Sequence, residues 1–187
     1  MQEILDKITR LTGFSAADQA LLKSVSPQAL AWSDELIARF YDLLYSDPTT
    51  TALLGENDRS AREQTLGHWY KSIFEGELSP RFWQQQWVVG LVHILRRISN
   101  VYMLGMMSVA QQFFLEKCLA EWDAARAREV YGAFKRATDT IAALIAEAYF
   151  LNYIQAMEQV AGFRMNLIER MMDMEVRNML EEARKAA

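Results

Sequence analysis

The chain has 187 residues, 51% of them hydrophobic and 24% charged, with a formal net charge of −4. That length suits one domain with a substantial core, and the acidic balance excludes a nucleic-acid partner, which needs a basic surface. A single cysteine, Cys118, excludes an intrachain disulfide and any cysteine-cluster metal site, and charges interrupt every apolar run before it reaches the length of a membrane span. The first residues carry no basic stretch followed by an apolar one, so a cytoplasmic location is expected.

The predicted elements are helical throughout, with no strand-period alternation and no hairpin turn pair. Ile4, Leu5, Ile8 and Leu11 recur at helical spacing, and Gly13 ends that helix. Ser15 caps a short helix that runs through Lys23. Ser26-Pro27 is a cap followed by proline and opens a helix to about Tyr45, which stops before Asp47-Pro48. A short helix over Thr50–Leu54 ends at Gly55, and Asp58 or Ser60 caps the next, which continues to Phe74 and stops at Gly76. Ser79-Pro80 opens another helix, ending near Ser99-Asn100, and a further one runs from Val101 to Trp122.

The last helical pattern begins near Ala124 and persists almost to the C-terminus. Unbroken, its roughly 60 residues would span about 90 Å, far more than a small domain needs. Val160, Phe163, Leu167, Met171 and Met174 continue a narrow apolar stripe at steps of three and four, with Glu and Arg elsewhere. That pattern suits a helix leaving the domain to pair with a partner helix; the alternative is a surface helix folded back after Gly162. The simplest parse is a domain over residues 1–155 and a helical extension over 156–187 for dimerisation or signalling.

His93 lies in the run Trp87-Val88-Val89-Gly90-Leu91-Val92-His93, with Val89 and Gly90 one turn before it on the same face. A buried imidazole must satisfy two ring nitrogens, through hydrogen bonds or through a metal. Gly90 lowers helix stability but removes bulk beside the histidine, as a flat ligand would require. Tyr41 lies on the stripe Ile37, Tyr41, Leu44, and Thr65 on the stripe Thr65, Trp69, Ile73. Each alone reads as core packing. Together with His93 they place a few convergent polar groups in an apolar interior, the character of a cofactor site.

Phe40-Tyr41-Asp42-Leu43-Leu44 followed by Asp47-Pro48, then Gln64-Thr65-Leu66, Ile73-Phe74-Glu75-Gly76, His93 on the next long helix, and Tyr102-Met103-Leu104-Gly105 beyond it carry a likeness to a known family. Over roughly residues 15–155 the chain resembles the sensor-globin domain of globin-coupled sensors and the related protoglobins. The resemblance implies an all-α, globin-like fold with an extra N-terminal helix and an extended C-terminal helix. It implies haem b as cofactor, His93 as proximal iron ligand, and Tyr41 as distal hydrogen-bond donor to bound O₂. Thr65 would join the distal pocket, and Trp69, Val89 and Gly90 would complete the cofactor contacts. Where that family commonly has His-x-Arg-Ile-Gly-x-x-Pro, this chain has His93-Ile94-Leu95-Arg96-Arg97-Ile98-Ser99-Asn100: Gly and Pro are missing and the Arg is displaced by one.

The function that follows is sensing of O₂ or another diatomic gas, CO or NO. The signal would pass through a homodimer bundle of the last two helices to an output domain or partner not present in this chain. The alternative is a haem-free globin-fold module that dimerises and signals by protein contact. His68, three residues past Thr65, is expected to be an edge or exposed residue, with a second axial ligand as the other reading. No enzyme activity is expected, since Tyr41 and Thr65 supply no strong general base near neutral pH.

Overall fold

The computed structural model describes residues 1–55, 58–162 and 165–186, and among them every regular element is an α-helix. The first, α1 (Gln2–Thr12), ends at Gly13, whose φ of 73° is left-handed and whose N–H bonds to the Thr9 carbonyl. Helix α2 (Ala16–Ser24) starts on a capping box. The Ser15 hydroxyl accepts from the Asp18 N–H, and the Asp18 carboxylate accepts from the Ser15 N–H.

The helix expected from Ser26 to about Tyr45 is two helices, α3 (Ser26–Ala31) and α4 (Ser33–Ser46), with Trp32 between them. Trp32 takes up edge-to-face contacts with Phe114 and Trp122, each at a centroid distance of 5.6 Å. Tertiary packing of one large ring accompanies a break that no local breaker residue announces. Helix α5 (Pro48–Leu54) starts on Asp47, whose carboxylate accepts from the N–H groups of Thr49 and Thr50. Then come α6 (Arg59–Glu75), α7 (Pro80–Leu95), α8 (Asn100–Glu121), α9 (Ala124–Ala161) and α10 (Met165–Ala186).

Two further boundaries differ from expectation. Helix α7 closes at Leu95 rather than near Ser99, because Arg97 adopts φ 56°. The Arg97 N–H bonds to the Ile94 carbonyl at 3.1 Å and the Ile98 N–H to the His93 carbonyl at 2.9 Å, wrapping the helix end. Counted from His93, Arg97 stands where the resembled pattern has glycine, the residue that enters the left-handed region without the penalty an L-residue carries. The last pattern is not one unbroken helix. Gly162, at φ 69°, ends α9 and its N–H bonds to the Glu158 carbonyl. Of the expected stripe, Phe163 and the Leu167 side chain lie outside the described residues.

The core is organised around α9. Ala127, Val130, Ala133, Phe134, Ala137, Ile141 and Leu144 are fully buried. Phe134 stacks on Phe114 at 4.0 Å and on Phe74 at 5.8 Å, and Tyr70 closes the cluster edge-on to Phe74. Each such ring contributes about 1.5–3 kcal/mol by leaving water. Tyr70 meets the cost of burying its hydroxyl by donating to the Ala29 carbonyl at 3.1 Å. The Asp18 carboxylate, 8% exposed, pairs with Arg136 and ties α2 to α9.

Helix α4 is pinned to α8 by a two-bond Arg39–Glu116 pair at 2.6 and 3.3 Å, and to α6 by Arg59–Asp42 at 2.6 Å. These pairs face solvent, where ion pairs contribute little, so packing decides the arrangement. The chain divides into two units, Met1–Tyr149 and Phe150–Ala187. No helix among the described residues is long and apolar enough to cross a membrane.

Candidate functional site

A cavity of about 660 Å³ opens within the first unit, lined by α4, α5, α6, α7, the start of α8 and one residue of α9. That volume suits a drug- or cofactor-sized ligand. Phe40, Leu44, Leu66, Val92, Met103, Met106, Met107 and Ile145 make most of the wall apolar, and the methionines supply deformable, polarisable contact surface.

Of the six candidate residues, Tyr41, Thr65, Trp69, Val89 and His93 all line this one cavity. They come from three helices. Tyr41 stands on α4, Thr65 and Trp69 one turn apart on α6, and Val89 and His93 one turn apart on α7.

Gly90 is placed otherwise. It faces away from the cavity, against α9. A Cβ there would meet the Ala148 Cβ at 2.7 Å and the Ile145 O and Tyr149 N at 2.9 Å. The missing side chain lets α7 and α9 touch backbone to backbone; it does not clear room beside His93 for a flat ligand.

His93 is half-buried, and its Nδ1 is buried without a hydrogen-bond partner. Burial, reinforced by the nearby Arg96 charge, holds the imidazole below its ordinary pKa, so it is neutral near pH 7 with a lone pair to donate. Tyr41 is 7% exposed and donates its hydroxyl proton to the Arg62 carbonyl at 2.9 Å. Burial pushes its phenol up to about 12, against an opposing pull from Arg62, so it stays a protonated donor. The Thr65 hydroxyl donates to the Ala61 carbonyl of its own helix at 2.9 Å. His68 is exposed and does not line the cavity, in agreement with the edge reading. Among the described residues no cluster of three or more His, Cys, Asp or Glu could hold a metal ion.

The cavity also holds polar groups that sequence reasoning missed. Gln86 is 4% exposed, with its Oε1 unpartnered. Arg62 and Arg96 are the cationic side chains lining the wall, and Asp58 the acidic one. Gln86 sits two turns before His93 and Arg62 one turn before Thr65, so helical spacing from the chosen residues points to both.

The protoglobin family model matches residues 1–155. Among solved structures, the globin domain of the Geobacter sulfurreducens globin-coupled sensor is similar at 25% identity, covering 77% of this chain and 96% of that one, with a TM-score of 0.71. The ferric globin domain of E. coli DosC is similar in fold at 19% identity and a TM-score of 0.62, over 78% of this chain and 98% of that one. No curated protein matches the sequence.

Proposed function

The chain belongs to the protoglobin family, and on that premise we propose that it is a haem-based sensor of diatomic gases, with His93 as the residue that holds the haem. The observation that carries this is His93 itself: a neutral imidazole in an apolar cavity of adequate volume, with its buried Nδ1 unpartnered. Haem b, when bound, supplies an iron centre that takes up diatomic gases reversibly. The similar Geobacter domain, whose own description is of a globin-coupled sensor, supports the same class.

The chain's residues have distinct tasks in this reading. His93 donates a nitrogen lone pair, and the apolar wall around it excludes water and lowers the local dielectric. Tyr41 presents a buried hydroxyl donor for a polarised diatomic such as O₂, and in that dielectric its bond counts for more than in water. Thr65, one helical turn past Ala61, fixes its own hydroxyl on that backbone and lines the cavity at an exposed position. Trp69 and Val89 give flat and branched apolar contact. We propose no enzymatic role: Tyr41 is held protonated, and Thr65 offers no base near neutral pH.

Signal output is proposed to run through a homodimer. Phe150, Met157 and Val160 at the end of α9, and Met172, Val176 and Met179 on α10, are exposed apolar side chains. Such stripes suit pairing between two copies, with α8 completing a bundle, and an output partner outside residues 1–187.

The deciding experiment is an absorption spectrum of the purified full chain supplied with haem, recorded ferric, ferrous, and ferrous with O₂ or CO. A Soret band that shifts with gas and is lost in His93→Ala supports the proposal. If folded protein takes up no haem, the proposal fails and the chain is a haem-free interaction module.

A further inference from the structure

We infer that Arg62 and Arg96 are the counter-ions that hold the carboxylates of the cavity's ligand, an inference that rests on the haem reading above and assigns the orientation of that haem. The cavity wall is apolar except for a few groups, and these two arginines are its cations. Among the described residues Arg96 has no anionic partner, and Arg62 has only the exposed Asp58 carboxylate, at 3.4 Å.

The Arg62 side chain is 15% exposed. One of its Nη atoms donates to the Leu54 carbonyl, and the same atom stands 3.4 Å from Asp58, a carboxylate 62% exposed and too distant for a strong ion pair. Its Nε–H is buried with no acceptor. A guanidinium withdrawn from water with an orphaned donor is a poor arrangement unless an anion completes it. Arg96, the first residue beyond α7, lines the same cavity three residues past His93. Among the described residues it makes no ion pair and no side-chain hydrogen bond. Arg96 and its neighbour Arg97 are both exposed, but only Arg96 lines the cavity, so of the tandem pair one member belongs to the site.

The chemistry required of the occupant follows. It has an apolar body, to match Leu44, Val89 and the methionines. It has an atom that accepts an imidazole lone pair, to match His93. It has anionic, planar carboxylates, which the fork of an arginine matches better than a lysine would. A dicarboxylate metalloporphyrin meets all three conditions, and the arginines fix which edge faces outward.

The test compares haem with haem dimethyl ester, in which both carboxylates are methylated, on the full chain. Each complex is formed by Soret titration, and its loss is timed against excess apomyoglobin. The expected result is that wild type releases the ester at least about tenfold faster than haem, as loss of one charge-assisted pair requires. Arg96→Gln and Arg62→Gln each release haem faster and discriminate less, and the double variant releases the two pigments alike. Arg62→Gln also loses the Leu54 contact, so Arg96→Gln and the comparison of ligands on wild type decide the question. Equal release of haem and ester from wild type, or discrimination that survives in the double variant, overturns this inference and leaves the haem reading standing. Failure of wild type to bind either pigment overturns both.

Discussion

Tyr41 and Arg97 show how much a single side chain decides here. The Tyr41 hydroxyl is already engaged with the Arg62 carbonyl, so it reaches a ligand only by exchanging partners. The expected outcome of Tyr41→Phe is O₂ dissociation faster by roughly three- to tenfold, the worth of one hydrogen bond. Stopped-flow displacement of O₂ by CO measures it, and an unchanged rate removes Tyr41 from the distal role. Arg97, at φ 56°, holds an L-residue in the left-handed region at a cost of about 1 kcal/mol. Arg97→Gly should raise the melting temperature by about 2–4 °C; a fall in thermal unfolding by circular dichroism would show that the arginine side chain contributes more than its backbone costs. The cavity residues His93, Tyr41, Thr65, Trp69 and Val89 were legible because helical periodicity assigns each a face. Gly90 was misread because a sequence shows that a side chain is missing but not which neighbour fills the space.

Helix starts and stops were largely written locally. Ser15 with Asp18, Asp47 before Pro48 and Ser79 before Pro80 each begin a helix by satisfying its free N–H groups. The break at Trp32 was not legible, since its partners Phe114 and Trp122 are distant in sequence. The contact between α7 and α9 is of the same kind and carries its own expectation. Gly90→Ala gains about 1 kcal/mol of helix propensity. Yet the new Cβ would lie 2.7 Å from the Ala148 Cβ and 2.9 Å from two backbone atoms of α9. Backbone gives way poorly, so overpacking of about 1–3 kcal/mol wins. The variant should melt below wild type and, because α7 carries His93, bind haem more weakly. A rise in melting temperature would mean that α7 slides along α9 at little cost.

At the scale of the whole chain, the all-helical architecture was readable from periodicity and caps and its globin-like form from the family resemblance, while the division at Tyr149 and the left-handed Gly162 needed coordinates. If two copies pair through the exposed stripe of α10, placing charge in that stripe should part them. Met172→Glu combined with Met179→Glu is expected to convert a dimer into a monomer in sedimentation velocity, with the Soret band unchanged. A dimer that persists assigns pairing to α8 and α9 instead. The same stripe has a redox consequence. Cys118 is buried and its thiol is pushed up to about 12, which keeps it protonated and inert. Among the described side chains of α10, the sulfur that an oxidant can reach belongs to Met171, Met172, Met174 and Met179, all exposed. Peroxide would therefore be recorded on these methionines and on the exposed Met157 of α9, as sulfoxides that turn apolar surface polar and that a reductase can erase. Peptide mass spectrometry after mild peroxide treatment should find the added oxygen there while Cys118 is spared.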